Sequence, residues 1–126
     1  MVRSAKGTRK SSTATRPWLW AIALASAAGT ASARDAAVRA VREGDPSAEL
    51  LDVVVSPLPA NPLCTTVITV ERSGSAYRVA TGRASAAPSI ADASRCGTRD
   101  RSGPLFAASP RRSTRAVQWD AEWTAP

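Results

Sequence analysis

Residues 64–81 read CTTVITVERSGSAYRVAT, two alternating runs on either side of a short polar break. In Cys64–Glu71, one parity holds Cys64, Thr66, Ile68 and Val70, and the other holds Thr65, Val67, Thr69 and Glu71. Successive side chains of a strand point to opposite faces, so this spacing predicts a β-strand. Arg72-Ser73-Gly74-Ser75 supplies a turn with a glycine free to take positive φ, and Tyr77–Thr81 returns as a second strand.

Working outward from this hairpin, Leu50–Val55 is a β-branched run ended by Ser56-Pro57, which predicts a strand buried on both faces. The next segment, SPLPANP, carries Pro57, Pro59 and Pro62, which fix φ and remove three backbone donors. It predicts an extended, rigid connection at a sheet edge. Arg115–Trp123 alternates again: Val117, Trp119, Ala121 and Trp123 on one face, Gln118, Asp120 and Glu122 on the other. Between these runs, Ser85–Thr114 is rich in Ser, Ala, Pro, Gly and Arg and predicts a loop of little regular structure. The expectation is an α+β protein with a three- to four-stranded antiparallel or mixed sheet within 49–126.

Upstream of Pro46 the period lengthens to that of a helix over residues 18–44. Its first part, Trp18–Ala33, is WLWAIALASAAGTASA, uncharged throughout. Its second part is amphipathic: Ala37, Val38 and Val41 share one face, Arg34, Arg39 and Arg42 spread over the other, and Gly44-Asp45-Pro46 stops it. Three readings fit. One is a membrane helix, with Trp18 and Trp20 at one interface and Arg34 at the other. Another is a secretory signal, with Ala31-Ser32-Ala33 as the small-x-small cleavage pattern. The third is an Ala-rich helix packed on the domain. A bilayer core asks for about 20 apolar residues, more than this run supplies.

The formal charge of +7 is concentrated at one end. Arg3, Lys6, Arg9, Lys10 and Arg16 contribute +5 within the first 17 residues, which predicts a disordered basic tail over 1–17. The remaining chain is nearly balanced, and no arginine–aromatic stripe or nucleic-acid-binding motif occurs, so nucleic acid is not an expected partner. Nor does any pattern identify a small-molecule ligand. Under the positive-inside rule, the basic tail places the N-terminus in the cytoplasm and the β-rich part outside.

Histidine is absent. That excludes Ser-His-Asp and Cys-His catalysis and His-ligated metal sites built from this chain. Cys64 and Cys96 are too few for a structural zinc site. They can form one disulfide if the topology brings them together, or remain two thiols. The only general acid–base groups left are carboxylates, with Asp120 and Glu122 on one strand face and Asp52 on another strand. Acids alternating with tryptophan normally form a solvated face, so no catalytic residue is assigned.

The string LDVVVSPLPANPLC, residues 51–64, resembles the segment that follows the last membrane helix in bacterial membrane-bound metal-dependent hydrolases of the inner-membrane, LexA-regulated type. Val53–Val55, Pro57, Pro59, Asn61 and Pro62 carry the likeness, and the hairpin and Trp119/Trp123 follow in the family's order. Thr65 stands where the family pattern has an aromatic. The resemblance implies a non-catalytic C-terminal fragment or divergent member at the inner membrane, with its β-rich part extracytoplasmic. The family's divalent metal, and the His and acidic ligands it implies, would lie outside this chain. The alternative is a small secreted or periplasmic binding domain with a cleaved signal and a Cys64–Cys96 disulfide.

Overall fold

The computed structural model of the chain describes residues 17–97 and 105–126. The expected basic tail falls almost wholly outside these residues, as does the middle of the 85–114 stretch. The architecture is α+β: helix α1 (Pro17–Gly44) followed by β1 (Glu49–Leu58), β2 (Asn61–Ser73), β3 (Ala76–Ser85), β4 (Ala107–Ala108) and β5 (Val117–Ala125). The sheet has five strands rather than three or four, because the two-residue β4 closes on the outer edge of β5. Its order is β1-β2-β3-β5-β4, and every pair is antiparallel.

The central hairpin is β2–β3, joined through Gly74-Ser75, with Ser73 opposite Ala76. Only Gly74 takes a positive φ there (61°), the requirement of a two-residue turn whose first central position is left-handed. The Pro-rich segment is less of a spacer than its prolines suggest. Pro57 and Leu58 remain in β1, and only Pro59 and Ala60 separate Leu58 from its partner Asn61. Pro57 is tolerated because β1 is an edge strand, where one row of donors has no ladder to join, Pro59 lies in the turn, and Pro62 precedes the first β2–β3 pair, Cys64 with Ser85. That edge position also corrects the expected two-sided burial of Leu50–Val55: Val53 is buried, whereas Leu51 and Val54 are exposed.

Helix α1 covers one face of the sheet. Its Ala33, Ala36, Ala37 and Val41 pack on Val53, Val67, Ala80, Ala84, Val117 and Trp119. Alanines at the contact let the helix approach the strands closely but remove little apolar area each, at about 25 cal/mol per Å². The covered parity of β2 is Thr65, Val67, Thr69 and Glu71, opposite Ala84, Gly82, Ala80 and Arg78 of β3. A Cβ on Gly82 would stand 2.6 Å from the Gln118 carbonyl oxygen and 3.0 Å from the Trp119 ring, so only glycine fits beneath that indole.

A bulge in β5 overturns the expected alternation of its side chains. Thr81 pairs with Ala121 but Gly82 pairs with Trp119, which leaves Asp120 as the extra residue. Val117 and Trp119 therefore face α1, and beyond the bulge it is Glu122 that faces α1, opposite Ala80. Ala121 and Trp123 pass to the other side. Asp120 and Glu122 do not share a face.

Candidate functional site

Two constellations stand out, at opposite ends of the molecule. At the end where α1 stops, a buried charge cluster lies between helix and sheet. Glu71 is 1% exposed, and its carboxylate is fully engaged. Thr69 Oγ1 (2.9 Å) and Arg111 Nη1 (2.8 Å) donate to Oε1, and Arg111 Nη2 donates to Oε2 at 2.7 Å. Arg111 Nε donates to Glu122 at 2.9 Å, and the guanidinium lies 5.0 Å from the centroid of the Trp119 ring. Arg78 stands 3.6 Å from both Glu122 and Asp45. Burial works against the Arg111 charge, but Glu71 and Glu122 outweigh it, and the group titrates above its ordinary value.

This cluster flanks a cleft of about 460 Å³ lined by Asp45, Arg78, Arg111, Trp119 and Glu122. Its chemistry is that of a clamp. A general base needs a free lone pair aimed at a substrate, and the two Glu71 oxygens are already occupied by donors. Asp45 serves the helix end: its backbone N–H donates to the Val41 carbonyl, and its side chain accepts from both the hydroxyl and the N–H of Ser47. The Ser47 hydroxyl foremost holds the Asp45 carboxyl below the usual range. Arg111 lies in the stretch read as featureless loop, and its partners sit 40 and 11 residues away, so nothing local marked it.

The opposite end is apolar. From Pro17 to Ala28 every residue of α1 is exposed, and the sheet begins to cover the helix only at Gly29. Trp18, Leu19, Trp20, Ile22 and Leu24 are all open, with Trp20 62% exposed. At 1.5 Å per residue this free apolar rod is about 18 Å long. No described helix is long and apolar enough to cross a membrane.

The family-like residues gather where the rod leaves the domain. Pro57, Pro59 and Pro62 line a small cleft of about 200 Å³ together with Ser26, Gly29 and Thr30 of α1. Asn61 holds the turn from within, its Oδ1 accepting from the Leu63 N–H at 3.1 Å. Leu63 in turn accepts from the N–H of Ala86, whose Cβ would lie 3.2 Å from a Cβ built on Gly29. Motif and helix exit thus form one collar, although they are about 30 residues apart in sequence.

Cys64 and Cys96 are joined in a disulfide with a Cα–Cα distance of 5.6 Å. It ties the 3-10 turn Ala93–Arg95 to the uncovered face of the sheet, where Arg83 donates to Asp120 (3.0 Å) and to the Gly97 carbonyl (2.6 Å). Closing a loop of 32 residues removes chain entropy from the unfolded state worth about 3–4 kcal/mol. Double replacement by alanine is expected to lower urea-unfolding stability by about 3 kcal/mol. An unchanged midpoint would show that the bond closes no unfolded-state loop of consequence.

The Asp120, Glu122 and Asp52 carboxylates are not brought together: Asp120 pairs with Arg83, Glu122 with Arg111, and Asp52 accepts from the N–H of Val53 on the edge strand. Among the described residues, no group of three or more His, Cys, Asp or Glu side chains is placed to hold a metal ion. The chain matches no family model, no curated protein and no solved structure.

Proposed function

We propose that this chain is a non-catalytic accessory domain, held at a bacterial inner membrane by the apolar half of α1 with its sheet on the extracytoplasmic side. The observation that carries the reading is the division of one continuous helix. Residues 29–44 pack against the sheet, and residues 17–28 project as a bare apolar rod. Trp18, Leu19, Trp20, Ile22 and Leu24 in water would expose a contiguous apolar surface of the kind that marks a membrane or partner contact.

Two further features support the same reading. The Cys64–Cys96 disulfide suits an oxidising compartment outside the cytoplasm. The Pro57–Pro62 turn sits at the helix exit, where a segment following a last membrane span belongs, which supports reading the chain as an accessory sheet of the membrane-bound metal-dependent hydrolase type. The reading that ends in signal cleavage after Ala33 is less favoured. Ala33 is buried in the core, and removal of everything before Arg34 would strip that contact together with Gly29 from the collar.

The test is the double substitution Ile22→Asp/Leu24→Asp in the full chain. Each aspartate costs about 2.5–3.5 kcal/mol within a bilayer, so the pair shifts partition by well over a thousandfold. The parent chain is expected in carbonate-washed membranes and the variant in the soluble fraction. Both positions are exposed, so the variant should keep the parent circular dichroism. A parent chain that is soluble, or a variant that stays membrane-bound, overturns the proposal.

A further inference from the structure

We infer that the collar is itself a lipid-seating surface, so that the domain rests on the bilayer in one orientation instead of swinging from a tethering helix. The inference rests on the membrane reading above and adds a second contact to it. Among the stretches of the chain that carry no charged residue are 17–33, 53–70 and 84–91. They are separate in sequence, and the fold brings parts of all three to one end. The Pro57–Pro62 turn meets α1 at Ser26, Gly29 and Thr30, and Ala86 bridges both through Leu63 and Gly29.

What this end presents to solvent is unusual for turns. Loop tips facing water normally carry polar residues, because their backbone groups need solvent. Here Pro59, Ala60 and Pro62 are exposed at one turn, and Ile90, 75% exposed, at the next. Pro57, Pro59, Pro62 and Pro88 have no backbone N–H, and the N–H of Leu63 is capped by Asn61. Bringing a backbone donor out of water without a partner costs several kcal/mol, and these turns have few left to lose. The prolines thus suit a surface that leaves water.

Charge distribution gives the surface its direction. Glu49–Arg72, Asp45–Arg78 and Glu71–Arg111 lie at the far ends of β1, β2 and β3. Strand β2 runs the whole way from Asn61 to Ser73, about 40 Å at 3.3 Å per residue. A bilayer beneath the collar would leave every one of these charges in water. A slab of apolar lipid is the occupant that fits both the bare rod and the Pro57–Pro62 turn at its exit, with the Asp92–Arg115 pair beside the Ile90 turn left at the level of the lipid headgroups.

The experiment places one environment-sensitive fluorophore at a time on an introduced thiol, Cys64 and Cys96 being bonded to each other. The full chain carries Trp20→Cys, Ala60→Cys, Ile90→Cys or Ser75→Cys and is mixed with vesicles of phosphatidylethanolamine and phosphatidylglycerol. Labels at 20, 60 and 90 are expected to shift to the blue and to lose several-fold in quenching by aqueous iodide. The label at 75, on the far turn, should remain water-like. Shielding at 20 with 60 and 90 still water-like overturns the seating surface and leaves the membrane reading standing. A water-like label at 20 overturns both, and shielding at 75 overturns the single orientation.

Discussion

Replacing Arg111 with alanine is expected to cost about 3–5 kcal/mol of folding stability, because it leaves the Glu71 carboxylate buried without its counter-charge. Glu71 is inside the molecule, and after the change only the Thr69 hydroxyl still donates to it. Glu122 loses its closest cation in the same step. A domain of this size has a total stability of about 5–15 kcal/mol, and the alanine-lined contact between α1 and the sheet places this one toward the low end. Arg111→Lys should recover little, since a single ammonium cannot serve both Glu71 oxygens and Glu122 at once. Joint replacement of Glu71, Arg111 and Glu122 by apolar residues of similar volume should restore much of the loss. Urea titration followed by circular dichroism reads all three, and a loss below about 1 kcal/mol for Arg111→Ala would reduce the cluster to a surface ion pair.

Trp119→Ala should cost about as much, roughly 3–5 kcal/mol, through the cavity it opens beneath α1. The indole is 4% exposed, rests against Gly82 and carries the Arg111 guanidinium on its ring. Trp119 and Arg111 therefore share one environment, and the double variant should lose less than the sum of the single losses. Trp123 supplies the internal control. It lies on the same strand with the same parity, but the bulge at Asp120 turns it outward, and Trp123→Ala should cost less than about 1 kcal/mol. Equal losses at 119 and 123 would contradict the bulge, and strictly additive losses at 111 and 119 would contradict the stacked arrangement.

The local elements were legible because their signals are local. The Cys64–Thr81 hairpin could be read from alternation and one glycine, and the helix from its change of period and its Gly-Asp-Pro stop. The exit of the helix from the domain was visible only as a shift from uncharged to amphipathic sequence at Arg34. The structure puts the change slightly earlier, at Gly29, where a small residue allows Ala86 to approach. Strand β5 misled, since period-two reading carries no warning of an extra residue. A bulge is set by what the neighbouring strand can accommodate, here Gly82 against Trp119, and not by the bulged strand's own composition.

By itself, then, the sequence determined the helix, the hairpin, the α+β class and the absence of histidine chemistry, because each depends on residue type or short-range period. The tertiary structure decided which parity of each strand is covered, that Cys64 meets Cys96, that Arg111 is the keystone of the charged end, and that the Pro57–Pro62 turn meets α1 where the helix leaves the sheet. These are long-range facts. They turn on strand register and on a single inserted residue in β5, and a shift of one residue in a strand exchanges every side chain between core and solvent.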